Sequence, residues 1–370
     1  MKKLYGLVLF FVIVGLVTGG IVFYARGYRA NLRDKSIKAT GIVSIKSNPT
    51  GATVFIDGEK KGETDIDISD LKPGNYKIEI IRDGFSPWEN EVVVKKEAVN
   101  IINVVLFPVA PSLRALTFTG IVAPIASPNG KRIVFSLKEP TDKMGIWSLS
   151  LSTSALPSFF TSDLIRIIAD RSELKFSEGS FEFSPDSKQV LVTLDNPKSY
   201  YLLDVSQENQ DPKEVTLDID KIKEAWTKQR LTSVANALKS LGQEAEHFAA
   251  SLSDLSFSPD KTKFYGTRGD SAVLLYDGKP ADDPTKKAIT YQLPITERYA
   301  WYPDNKHLIL VGKDSISIME LPGTNVIPIY TGNFEKNLVV PWPDGSKIVI
   351  ATSLNTAVST LPNLYAIELR

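Results

Sequence analysis

The chain has 370 residues, enough to build more than one hydrophobic core. Lys plus Arg and Asp plus Glu each number 43, so the formal charge is zero, which argues against a dedicated nucleic-acid binder that must neutralise phosphates. There is no cysteine and only two histidines, His247 and His307, which excludes disulfides and thiolate metal sites and leaves little for a histidine-based relay or metal centre.

After Met1-Lys2-Lys3 the chain carries no charge from Leu4 to Ala25. At about 1.5 Å per residue such a run spans a hydrocarbon core of roughly 30 Å, and Tyr5, Phe23 and Tyr24 stand where aromatic rings favour the interface. A cleaved signal peptide would have a shorter apolar region and a small-x-small site, so the reading is an uncleaved transmembrane anchor with its basic flank, residues 1–40. Gly15 and Gly19 have GxxxG spacing, read here as ordinary glycine content of a membrane helix. Arg26, Arg29, Arg33, Lys35 and Lys38 follow the helix, and by charge alone they would keep the C-terminal part in the cytoplasm. The short lysine-led N-terminus favours the opposite orientation.

Residues 41–107 change to short alternating strands broken by turns. Val43 and Ile45, Val54 and Ile56, and Ile78 and Ile80 alternate with polar neighbours, with turns at Asp57-Gly58, Pro73-Gly74-Asn75 and Asp83-Gly84. The run Ser47-Asn48-Pro49-Thr50-Gly51-Ala52, then Val54-Phe55-Ile56-Asp57-Gly58, Gly62-Glu63-Thr64, Leu71-Lys72-Pro73-Gly74 and Gly84-Phe85 resembles the PEGA domain. Threonine stands at position 50 where the name-giving motif has glutamate. The resemblance implies a small β-sandwich-like module of envelope and surface proteins and an extracytoplasmic location, not an activity. Asp65, Asp67 and Asp70 lack the glycine of a calcium loop and read as strand residues.

One motif recurs through residues 112–370: ASPNGKRIVFSL, FSPDSKQVLVTL, FSPDKTKFYGTR, WYPDNKHLILVG and WPDGSKIVIAT. Proline presets the turn and the following Asp or Asn bonds its backbone. The motif prolines Pro128, Pro185, Pro259, Pro303 and Pro343 are 57, 74, 44 and 40 residues apart, and forty-odd residues suit a four-stranded propeller blade. The set resembles the WD40-like (PD40) repeat of TolB-type β-propellers. Five blades are favoured over six, a sixth being a degenerate blade inside the long interval. The segment from Leu113 to Gly120 could supply the missing strand of the last blade.

That interval holds the one non-β stretch, residues 218–252. Ile219, Ile222 and Trp226 recur at helical spacing, as do Leu231, Val234, Leu238 and Leu241, with Asp218 as N-cap and Gly242 as helix end. A helical insertion serves either as structural cover or as a docking element, and Trp226 is the candidate partner contact.

No nucleophile elbow, phosphate loop or HExxH motif occurs, so no catalytic, cofactor or metal residue is assigned. Asp186, Asp260, Asp304 and Asp344 stand in equivalent turns of successive repeats and read as turn formers; Arg268-Gly269-Asp270 reads as a tight turn. The expectation is a mainly β, membrane-anchored, non-enzymatic interaction protein of the cell envelope, its propeller binding a protein or wall polymer and its PEGA-like module acting as spacer or wall contact. The alternatives are a cytoplasm-facing membrane scaffold or, less favoured, a propeller enzyme acting on wall polymer, which would need paired carboxylates at the propeller mouth.

Overall fold

The computed structural model describes residues 2–25, 28–31, 36–151, 163–278, 287–354 and 361–370. It is mainly β and divides into two compact units, Met1–Val109 and Ala110–Arg370.

Unit one begins with α1, Lys2–Ala25, whose described side chains are solvent-exposed. The side chains of Tyr5, Phe23 and Tyr24 and of the flanking Arg29 and Lys38 lie outside the described residues, as do Arg26, Arg33 and Lys35 altogether. Among the described residues no helix is long and apolar enough to cross a membrane. The expected anchor is therefore supported as an apolar helix and not as a membrane span.

After the hairpin β1 (Tyr28–Asn31) and β2 (Ser36–Ala39), seven strands form two sheets. These are β3 (Gly41–Asn48), β4 (Thr53–Ile56), β5 (Glu59–Glu63), β6 (Ile66–Leu71), β7 (Gly74–Ile81), β8 (Trp88–Val94) and β9 (Val99–Val105). One sheet has the order β6-β3-β9, with β9 parallel to β3; the other has the antiparallel order β5-β4-β7-β8. The alternating positions read from the sequence, Val43, Ile45, Val54, Ile56, Ile78 and Ile80, form one buried core with Trp88 and Leu106. Asp57 and Gly58 both have positive φ (49° and 79°), the primed turn that a two-residue hairpin loop requires. The Ser47–Thr64 region is knitted together: the Gly51 N–H bonds the Thr64 carbonyl (2.8 Å), the Thr64 N–H bonds the Ala52 carbonyl (2.9 Å), and the Ser47 and Thr64 hydroxyls are 2.6 Å apart. Thr50 sits exposed at this turn, so the departure from glutamate touches no buried group.

Unit two consists of five four-stranded antiparallel sheets, the blades. Blade one is Val122–Ala126, Arg132–Leu137, Gly145–Ser150 and Leu164–Ala169; blade two is Ser180–Phe183, Gln189–Asp195, Lys198–Asp204 and Lys213–Glu214. Blade three is Leu252–Phe257, Lys263–Arg268, Val273–Asp277 and Ile289–Gln292, and blade four is Arg298–Trp301, His307–Val311, Ser315–Glu320 and Thr324–Thr331. Blade five takes Val339–Pro341, Lys347–Thr352 and Asn363–Glu368 from the end of the chain and its outer strand, Ser112–Ala115, from the start of the unit. This pairing runs from Ser112↔Glu368 to Ala115↔Tyr365 and ties the last blade to the segment preceding the first.

Because strand side chains alternate, each blade has two apolar faces, and each face meets a neighbour. Ile133 and Phe135 of blade one pack with Val340, Trp342 and Val349 of blade five. Val134 and Ile146, on its other face, join Val190, Val192 and Leu203 of blade two. Leu275 of blade three joins Tyr299, Trp301 and Leu308 of blade four. Blades four and five are linked by Arg298 donating to the Lys336 carbonyl (3.0 Å) and by the Tyr302 hydroxyl donating to the Gly345 carbonyl (2.5 Å).

Candidate functional site

The repeated turns share one geometry dictated by their sequence. In blade two the Ser184 hydroxyl donates to Asp186 Oδ1 (2.6 Å), the Lys188 N–H donates to the same oxygen (3.1 Å), and the Gln189 N–H donates to Ser184 Oγ (3.0 Å). Blade three repeats this with Ser258, Asp260, Thr262 and Lys263, and blade one with Ser127, Asn129, Lys131 and Arg132. In blades four and five Tyr302 and Trp342 replace the serine, yet Asp304 and Asp344 still accept from the Lys306 and Ser346 N–H groups, each at 2.8 Å. The next position is left-handed in every copy: Gly130 (66°), Ser187 (64°), Lys261 (59°), Asn305 (62°) and Gly345 (71°). Every repeated acid is thus engaged by its own turn.

Two of these left-handed residues also join adjacent blades through their side chains. Ser187 Oγ accepts from the Asn129 N–H (3.1 Å), and Asn305 Oδ1 accepts from the Asp260 N–H (3.0 Å). At the corresponding place between blades two and three stands Lys261, whose side chain has no acceptor. No such bond is found there among the described residues.

The helical insertion occupies that junction. It comprises α2 (Ile219–Leu241) and α3 (Gln243–Ala249), divided at Gly242, whose φ of 96° ends α2 as the sequence suggested. Ile219, Ile222 and Trp226 pack on Leu191, Tyr200 and Leu202, the face of blade two turned away from blade one. Leu238 and Leu241 of α2, with Ala245, Phe248 and Ala249 of α3, pack on Phe264 and Tyr276, the face of blade three turned away from blade four. Phe264 lies amid Phe248, Phe257 and Tyr276, with ring centroids 5.2–6.0 Å from its own. The helices therefore form a wedge where a blade-to-blade contact would be.

Trp226, the candidate partner contact, is 8% exposed and forms the centre of the seal on blade two. Leu231, expected on the inward stripe, is 66% exposed. Arg230, itself exposed, reaches Glu182 on the first strand of blade two (3.4 Å), and the next buried position of α2 after Trp226 is Ala237. Residues 227–233 of α2 are exposed, and Arg230 reaches blade two from among them.

A surface cleft of about 520 Å³ lies between blades one and two, lined by Asp142, Lys143, Trp147, Arg166, Gln207 and Glu208 among others. The Arg166 guanidinium lies over the Trp147 ring (6.0 Å), donates to the Asp142 carbonyl (2.9 Å) and approaches Glu208 (3.8 Å). The cleft draws on residues far apart in sequence, and its one signal there is Trp147 in the strand GIWSLS.

The remaining residues singled out in the sequence do not converge. His247 is exposed on α3, whereas His307 is 4% exposed in blade four with Nδ1 2.6 Å from Asp304 Oδ2. Burial pushes the Asp304 carboxyl up, but bonds from His307 and the Lys306 N–H outweigh this and hold it below the usual carboxylate range. Arg268 and Asp270 bind each other through two bonds of 2.9 and 2.5 Å, and this pairing lowers Asp270 to about 2. Asp65 accepts from the Ser47 N–H (3.3 Å), Asp67 is exposed and the Asp70 side chain lies outside the described residues. Among the described residues no group of three or more His, Asp or Glu could hold a metal ion.

No curated protein matches the sequence. Solved structures similar to the chain include TolB from Acinetobacter baumannii, with 19% identity and a TM-score of 0.23, covering 75% of this chain and 54% of that one. A second is a putative TolB from Agrobacterium tumefaciens, with 16% identity and a TM-score of 0.21, covering 63% of this chain and 70% of that one. This chain thus spans about half the length of the Acinetobacter protein. Residues 40–109 match the PEGA domain, which makes the two-sheet module of unit one a PEGA domain.

Proposed function

We propose that this is a membrane-anchored interaction protein of the cell envelope and not an enzyme, with α1 as the anchor, the PEGA domain as spacer or wall contact, and the five-bladed unit binding a protein or wall-polymer partner. The observation that carries the binding reading is the engagement of each repeated acid in its own turn, which makes the blades a scaffold. What varies on that scaffold are surfaces: the exposed side of α2 and the cleft around Trp147. The PEGA match supports the envelope location, and the uncharged run from Leu4 to Ala25 supports the anchor.

Two measurements test this together: protease accessibility of a C-terminal tag in intact cells, and photo-cross-linking from Lys228 on α2 and from Gln207 at the cleft. Tag loss with adducts of envelope protein or polymer is the expected result. A tag protected until lysis overturns the envelope location in favour of the cytoplasm-facing scaffold, which the basic residues after α1 favour. An accessible tag with no adduct at either position removes those surfaces as the binding site.

A further inference from the structure

The two sheets of the PEGA domain end in four strand edges: β6 and β9 in one, β5 and β8 in the other. A free edge presents unpaired N–H and C=O groups that template pairing with another strand, and stable monomers blunt such edges with charge, proline or bulges. Three of the four are blunted. β5 reads EKKGE, β6 carries Asp67, and β8 carries Glu89 and Glu91.

β9 is different. Its sequence is VNIINVV, seven residues with neither charge nor proline. It pairs on one side only, in parallel with β3 from Ile42↔Val99 to Asn48↔Val105 without a register shift. The Asn100 side-chain amide donates to the Val93 carbonyl of β8 (3.2 Å), but among the described residues no hydrogen bond is made to the outer backbone groups of β9. Its outward side chains are uncharged where the other edges are ionic: Val99 is 59% exposed and Ile101 69%, followed by Asn103.

We propose that β9 is a homodimerisation edge, along which two copies of the chain pair antiparallel about a two-fold axis and merge their three-stranded sheets into one. The occupant is a second copy because of the charge pattern. Self-pairing about a two-fold sets each residue near its own image, so a charged edge repels itself, and β9 is the edge of this domain that meets its image without repulsion. Its neutrality also gives a charged foreign strand nothing to select.

The register follows from the pleat. Residues directly opposite each other in an antiparallel pair point to the same side of the sheet, so the axis must pass through a residue and not between two. Centring it on Ile101 sets that side chain against its own counterpart, Val99 against Asn103 and Asn100 against Ile102. This sets the most exposed apolar side chain of the strand, Ile101, against its own image and closes both free edges.

The test uses the full chain in detergent micelles. Light scattering should give a protein mass twice 40.8 kDa. Ile101→Lys, which sets two ammonium groups face to face at the axis, should halve that mass while its circular dichroism stays native, since Ile101 is exposed. Because the chain has no cysteine, Ile101→Cys carries one thiol, and mild oxidation in membranes should link two copies through it. Lys60→Cys, on the charged β5 edge, should stay monomeric under the same oxidation. The proposal is overturned if the wild-type chain has the mass of one copy, if Ile101→Lys leaves the dimer intact (the result of association through α1), or if Lys60→Cys cross-links as fast as Ile101→Cys.

Discussion

Two junctions of the ring, each sealed by a tryptophan, solve one problem in different ways. Trp301 of blade four lies directly on blade three, stacked 5.7 Å from Tyr265, with its indole N–H donating to the Ser256 carbonyl (3.2 Å). Trp226 seals blade two from a helix, and the same helix reaches blade three through Leu238 and Leu241. The two rings are almost equally buried, at 9% and 8% exposure. The difference teaches that a blade face demands apolar cover of the right shape and not a further sheet; a helix pair with an aromatic anchor meets that demand.

The largest expected effects test this equivalence. Trp226→Ala and Trp301→Ala should each cost about 3–5 kcal/mol in guanidinium unfolding followed by circular dichroism. If Trp226→Ala costs under about 1 kcal/mol while Trp301→Ala keeps its full effect, the wedge is a loosely docked appendage and the equivalence fails.

A smaller effect separates turns that titrate from the one that does not. The Ser184 hydroxyl and the Lys188 N–H hold the Asp186 carboxyl below its ordinary value; at Asp260 burial pushes upward, but the Thr262 N–H and the Ser258 and Thr262 hydroxyls prevail. A carboxyl with a lowered folded-state value contributes stability above its unfolded value of about 3.9 and loses it as pH falls through the folded value. Denaturant midpoints should therefore drop below about pH 4, and the Asp186→Asn, Asp260→Asn double variant should lose less over that range, by a small margin because both carboxyls are exposed and screened by solvent. Asn129 already makes the blade-one turn insensitive to acid. An unchanged acid profile in the double variant would remove these turns as the source.

The smallest effect is expected at the hairpin tip of blade three. Arg268→Ala breaks an exposed pair that sits at no junction, and should leave the unfolding midpoint and partner cross-linking unchanged. Loss of adducts in this variant would mean that the tip itself is a contact surface.

The blades were legible in the sequence because their turn is local: Pro, then Asp or Asn, then a left-handed residue specify the geometry within a few positions. The PEGA domain was legible for the same reason, through Asp57-Gly58 and the alternation of Val54 and Ile56. The wedge was only half legible. Spacing identified Ile222 and Trp226 as one stripe, but whether that stripe faces solvent or a sheet depends on Leu191 and Leu202, which belong to another element. Leu231 misled because hydrophobicity marked it as inward, while the buried contacts of α2 are those of Trp226 on blade two and of Leu238 and Leu241 on blade three. The character of β9 was hidden because strand order, not sequence, decides which strand lies at an edge. The cleft at Trp147 was hidden because its walls come from two blades.

The closing strand imposes an order of events. Arg114 binds Glu368 at 2.8 Å across 254 positions of chain, so the first strand of the unit to be synthesised must wait for nearly the last. Until then blade five lacks its outer strand and Ser112–Ala115 has no partner. Contacts of such long sequence separation form late and slowly, so ring closure follows the synthesis of every blade between the two strands it joins.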